Sequence, residues 1–237
     1  MEKVIVVLQK SEPDEAWCQR LRGPVAEALL SLRLPGVVLN ICDAPVRNSI
    51  MRLTTMTPPA AAVVSLWTQQ HYGQQLQAAL ALLTSEAEAA PAYLVTESTP
   101  IPPPDPGDGQ RTRGLSNMAL LRRPDRLDHQ SWLRIWHLEH TPVAIETQAT
   151  FGYTQNTVVR AITDGAPVID GIVEENFPDA AVSDPMAFYG AADQADLTYR
   201  VTRMMESCNK FGATERIDTV PTSRYALRSP FTVATAT

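Results

Sequence analysis

The chain has 237 residues, 44% of them apolar and 19% charged, enough for one large globular domain or two small ones. Its 20 Lys and Arg are spread along the sequence against 26 Asp and Glu, a formal charge of -6, so the basic stripe of a nucleic-acid binder is absent. No apolar run is long enough to cross a bilayer and MEKVIVVLQK leads into no cleavage-like segment, so a cytoplasmic protein without membrane or nucleic-acid partners is expected.

In chain order, VIVVLQ at 4–9 predicts a strand and 14–33 an amphipathic helix. Strands follow at 36–42 and 60–67, a helix at 69–89 and a strand at 92–98. The order so far is βαββαβ. Residues 100–113, PIPPPDPGDGQRTR, sustain neither helix nor central strand and read as a linker. Beyond it a strand is expected at 114–123, a helix at 128–148, strands at 151–159 and 168–177, a mostly helical stretch at 185–210 and a last strand at 217–228.

The order therefore repeats, and local sequence agrees: GPVAEALLSL at 23–32 falls where TPVAIETQAT stands at 141–150. The fold expected is α+β, two tandem ferredoxin-like βαββαβ units forming an α+β barrel, with their sheets packed against each other. The divisions are 1–99, 100–113 and 114–237. A tandem chain supplies both sheets itself, so a homodimer is allowed but not required for closure.

Three of the four histidines, His129, His137 and His140, fall in or just before WLRIWHLEHTPVAIETQATFGYTQN at 132–156. His137 and His140 share a helix face, as a metal pair would, but no further ligands accompany them and no metal is expected. A haem would have only one well-placed histidine to hold it. Cys18, Cys42 and Cys208 lie far apart, without the spacing of a disulfide framework or a thiolate metal site. There is no phosphate-binding glycine loop and no GxSxG elbow, and Ser207-Cys208 has no histidine near it in sequence.

With Trp136, His140, Pro142, Tyr153 and Asp170-Gly171-Ile172, the second half resembles the EthD family of dimeric α+β-barrel proteins over about residues 115 to 228. The resemblance implies relatives among polyketide cyclases, decarboxylases and lactone isomerases, and fold transfers from it better than reaction. The first half lacks the motif: matching the two PVA segments puts Arg22 in the place of His140 and Cys18 in that of Trp136. One pocket per chain is expected, with the first half as barrel partner and lid.

His140 is the expected proton-transfer group, assisted by Tyr153 and Glu174; Glu174 and Asp170 share a strand face that would look into the barrel interior. Trp136, Asp170, Asn40, His71 and Tyr72 are the expected substrate-lining residues. Each has a structural reading too: Trp136 as core, Tyr153 as a half-buried strand residue, Asp170 as a shaper of the strand start, Glu174 as an ion-pair partner of Arg160 or Arg203. Two functions of different class follow. One is a cofactor-independent lyase, cyclase, decarboxylase or isomerase acting on a small apolar aromatic or polyketide-like metabolite. The other is a non-catalytic accessory protein that holds a hydrophobic metabolite.

Overall fold

The computed structural model describes residues 1–104 and 107–231. Residues 105–106 of the expected linker and 232–237 at the end of the expected second half lie outside them. No helix among the described residues is long and apolar enough to cross a membrane.

The first half runs β1 (Glu2–Gln9), α1 (Glu15–Arg20), a π turn (Leu21–Val25), α2 (Ala26–Ser31), β2 (Gly36–Ile41), β3 (Ala60–Thr68), α3 (Gln74–Ser85) and β4 (Ala92–Ile101). The second runs β5 (Leu115–Leu121), α4 (His129–Arg134), a π turn (Ile135–His140), α5 (Thr141–Thr147), β6 (Gly152–Ala161), β7 (Gly171–Phe177), α6 (Pro185–Tyr189), α7 (Gln194–Phe211) and β8 (Asp218–Arg228), with a short 3-10 turn (Asp179–Val182) before α6. The order around the sheet is β1-β3-β2-β8-β5-β7-β6-β4, closing back on β1. Every neighbouring pair is antiparallel. Each half keeps the ferredoxin-like arrangement, with its first and third strands central.

The two sheets pack face to face across the lumen, as expected, and they also join edge to edge. β2 pairs with β8 from Val37–Arg228 to Ile41–Ser223, and β4 pairs with β6 from Tyr93–Ala161 to Ile101–Tyr153. An open sheet of either half would leave two rows of unpaired backbone groups, and closure pairs all four. β4 also runs on to Ile101, inside the stretch read as linker. Pro100 is accommodated because the β4–β6 register shifts between Ser98 and Ile101, so its missing N–H interrupts no ladder.

Closure explains why the strands are apolar on both faces. In β1, Val4, Val6 and Leu8 pack outward against Trp17, Leu21 and Leu29, while Ile5 and Val7 point into the lumen against Met118, Leu120 and Ile172. The connection between β2 and β3 crosses to the second half: Val46 packs on Leu115, Phe177 and Phe188, and Leu53 forms a bridge with Thr219. Asp218 holds this crossing through Thr55 and Met56 and is itself paired with Arg122 at 2.7 Å.

Both first helices carry a π turn beside the shared Pro-Val-Ala. Pro24 lies within one and Pro142 follows the other. Proline has no N–H to return to the fourth residue back, so the ladder admits one extra residue. The second π turn ends on His140.

Candidate active site

A cavity of about 300 Å³ lies between the outer face of β5, β6 and β7 and the helices of the second half. It was expected in the barrel interior. The interior at this level is filled by Met118, Leu120, Ile172 and Val220, and the open space is on the other side of the sheet.

The floor is a sheet surface of one parity. Asn117, Ala119 and Leu121 come from β5, Val173 and Glu175 from β7, and Tyr153 from β6. Asn117 stands opposite Glu175, and Glu175 opposite Tyr153, so the three polar residues form a row across the strands. The roof is the π turn with Trp136 and His140, and one face of α7 with Met204, Met205, Cys208 and Phe211, spaced as successive helical turns. Phe188 and Tyr189 close one side, and Met51 and Leu53 bring the first half to the rim.

Trp136 is fully buried and packs on Gly171, where an added Cβ would stand 2.6 Å from the indole ring. This close approach seats the π turn on the sheet. Gln155 of β6 ties the same turn down by donating to Thr141 Oγ1 at 2.7 Å, and that hydroxyl donates to the Trp136 carbonyl at 2.9 Å. His140 is 5% exposed; its Nδ1 lies 3.0 Å from Ser207 Oγ and its ring 4.5 Å from that of Phe211. Burial without a charged partner pushes its pKa down to about 4, so the imidazole is neutral at physiological pH.

Glu175 shows the opposite shift from the same cause. Burial pushes its carboxyl up to about 7, and the neighbouring Asn117 offsets only part of this. Burial and then the Glu175 charge raise the Tyr153 hydroxyl, which stays protonated. Burial likewise raises the Cys208 thiol to about 12, with Glu175 adding to it. Among the described residues, three buried polar atoms of cavity-lining side chains have no hydrogen-bond partner: Asn117 Oδ1, Gln148 Oε1 and Trp136 Nε1. Unmatched groups of this kind are costly and mark where a ligand or water completes the set.

Of the residues expected at the site, the structure brings His140, Tyr153 and Trp136 together on this cavity. Glu174 lies on the opposite face of β7, inside the barrel, where Asn40 and Ser116 donate to its Oε1 and Arg224 Nε lies 2.9 Å away. Its ion-pair partner is thus Arg224, not Arg160 or Arg203. Asn40 is part of that interior cluster. Asp170 accepts from the Arg123 N–H at 2.8 Å and shapes the start of β7. His71 binds Glu2 and Arg160 on the surface beside the exposed Tyr72, far from the cavity lining. Sequence reasoning missed Glu175, Asn117 and Gln148, and set Ser207 aside for want of a nearby histidine, which the fold supplies as His140. A signal existed for the first: on β7 the outward face reads Gly171, Val173, Glu175, Phe177, a lone charge on an otherwise apolar stripe.

In the first half the corresponding place beside the π turn is occupied by side chains. Arg22, in the first π turn, is paired with Asp43 at 2.6 Å and with Glu15, and Tyr225 donates to Asp43 at 2.6 Å. Trp17 and Leu21 fill the space beside them.

No protein-family model matches this sequence, and no curated protein matches it. Its fold is similar to solved structures. An anthrone oxidase-like protein aligns over 98% of this chain and 96% of its own, with a TM-score of 0.56 and 9% identity. A protein from Lactobacillus acidophilus provisionally described as a monooxygenase aligns over 94% and 93%, with a TM-score of 0.45 and 10% identity. A protein provisionally described as a chlorite dismutase covers 97% and 96%, at 0.47 and 12%. The first of these likenesses shows that the chain shares the α+β barrel fold.

Proposed function

We propose that the chain is an enzyme that moves a proton on a small, largely apolar, ring-containing metabolite, in a reaction of the lyase, cyclase, decarboxylase or isomerase type that needs no cofactor. The observation that carries the reading is Glu175, a single carboxyl in an apolar cavity, flanked by Asn117 and Tyr153 and faced by a neutral histidine. The resemblance of Trp136, His140, Pro142, Tyr153 and Asp170-Gly171-Ile172 to EthD proteins supports it.

In this reading Glu175 takes the role first expected of His140. An ideal general base titrates near the working pH, and a carboxyl at about 7 meets that condition where an imidazole at about 4 does not. Ionised Glu175 removes a proton from a carbon beside a substrate carbonyl, and the electron pair moves onto the carbonyl oxygen. Trp136 Nε1 and His140 Nε2 are the donors for that oxygen, the latter when Ser207 donates to Nδ1. Return of the proton to another carbon is isomerisation, and attack of the enolate on a second carbonyl is aldol cyclisation. The reverse sense, protonation of a carbanion left by departing carbon dioxide, is decarboxylation.

The test uses 2-tetralone, a bicyclic ketone with acidic C–H bonds, in deuterated buffer. Wild type should accelerate exchange of those hydrogens, and Glu175→Gln should lose about two to four orders of magnitude of the acceleration. Equal rates in both proteins would remove Glu175 from the role. Binding of the ketone without acceleration by wild type would favour the accessory-protein reading. Oxygen uptake with the ketone that wild type raises above the protein-free rate would extend to this chain the oxidation that the name of the anthrone oxidase-like protein suggests for that relative.

A further inference from the structure

The lumen of the barrel has two unlike ends. One is filled by Ile5, Val7, Met118, Leu120 and Ile172. At the other, a second cavity of about 330 Å³ lies under Pro102, Pro103 and Ser229 to Phe231, and its wall holds four charged side chains. Lys3, Arg224 and Glu174 are each at most 5% exposed, and the Glu97 side chain is partly buried, at 17%.

The four charges form two pairs. Lys3 Nζ donates to Glu97 Oε1 at 2.7 Å and stands 4.5 Å above the Trp67 ring, while Trp67 Nε1 donates to Glu97 Oε2 at 3.2 Å. Arg224 Nε faces Glu174 Oε1 at 2.9 Å, an oxygen that Asn40 and Ser116 already bind, and Arg224 Nη1 donates to the Pro104 carbonyl. Four charges in a protein interior are expensive, and a barrel that only needed filling would be better served by apolar residues. The pairs also leave capacity unused. Lys3 has three N–H donors and one carboxylate partner among the described residues, and Arg224 Nε makes no aligned hydrogen bond.

We propose that this end of the barrel is a second ligand site, separate from the candidate active site, that takes a small zwitterion: a carboxylate for Lys3 and Arg224, an ammonium for Glu174 and Glu97, and an apolar body against Trp67, Pro102 and Pro103. The four wall charges sum to zero. A ligand of zero net charge completes both sets of partners, whereas a simple anion or cation would leave one buried charge uncompensated. The site opens on the inner face of the sheet and Glu175 on the outer, so it stands whether or not the proton chemistry does.

The test is calorimetric titration with L-phenylalanine, 3-phenylpropanoate and phenethylamine, three probes of one ring and chain with both charges, the acid alone and the amine alone. L-Phenylalanine should bind at millimolar concentration or tighter, and each single-charge probe should bind about 10- to 100-fold more weakly, the loss of one charge-assisted set of hydrogen bonds. Glu174→Gln combined with Arg224→Gln, which removes a pair without orphaning a charge, should weaken L-phenylalanine to the same extent, and Glu175→Gln should not. If the double variant fails to fold, the wild-type indole N–H resonance of Trp67, identified by Trp67→Phe, should shift with L-phenylalanine and not with phenethylamine. No binding of L-phenylalanine, equal binding of all three probes, or an unmoved Trp67 resonance would overturn the proposal and leave the four charges as a structural plug.

Discussion

Glu175 and His140 are buried by the same helices and shifted in opposite directions, which gives two opposed contributions to stability. Folded Glu175 holds its proton up to about pH 7, against 4.5 for an ordinary glutamate, so between those values the folded chain binds more protons than the unfolded one. Stability therefore falls as pH rises through that window. His140 works the other way: the unfolded imidazole takes its proton at 6.5 and the folded one only at about 4, so its contribution is present above pH 6.5 and is lost as pH falls toward 4. Glu175→Gln should be more stable than wild type above pH 7, by about 2–4 °C in Tm for each kcal/mol recovered, and the gain should vanish toward pH 4.5. Thermal melts across that range check it; a variant less stable than wild type at pH 8 would mean that the carboxylate is well solvated or paired. At this scale the sequence was half legible. The spacing of Trp136, His140 and Tyr153 pointed to one site, but choosing Glu174 over Glu175 depends on which sheet face is hollow, and a shift of one residue moves a side chain across the sheet.

Among the elements, the strands and helices lie close to where apolar periodicity puts them, because each alternating or helical run has a buried face to satisfy. What periodicity cannot carry is the extra residue of each π turn, which rotates every side chain before it. Prolines 24 and 142 were visible, but a proline inside a helix reads first as a break. The register depends on contact as well. Gly171 lets Trp136 lie on β7, and Gly171→Ala would drive a methyl group into the indole. Overpacking of this kind costs about 1–3 kcal/mol, and it should be accompanied by weaker binding of 2-tetralone as the turn carrying His140 lifts from the sheet. Chemical denaturation and ligand titration on that variant measure both. Unchanged stability would show that the helix adjusts without cost.

For the whole molecule, the doubled βαββαβ order implied a barrel, and the barrel is there. Its closure through β2–β8 and β4–β6 is a long-range pairing that no local pattern encodes. The asymmetry was readable from Arg22 standing where His140 stands in the other half. In the fold, that guanidinium with Asp43 and Glu15 occupies space that the second half leaves open. The first half still contributes at a distance, since Met51 and Leu53 reach the cavity rim on a crossing pinned by Asp218. Replacing both by Ala should leave the barrel intact and weaken 2-tetralone binding by about 1 to 3 kcal/mol of lost apolar contact, read by titration. Undiminished binding would place the ligand deeper than the rim.

The cavity is a proton-transfer site only if the complete fold, sheet below and helices above, holds one carboxyl near neutrality. Carbon-13 titration of the glutamate side-chain carboxyls in wild type, with Glu175 identified by its absence from Glu175→Gln, measures this directly. The account expects a midpoint for Glu175 of about 7, well apart from the ordinary glutamates. A midpoint within the ordinary carboxylate range would contradict it.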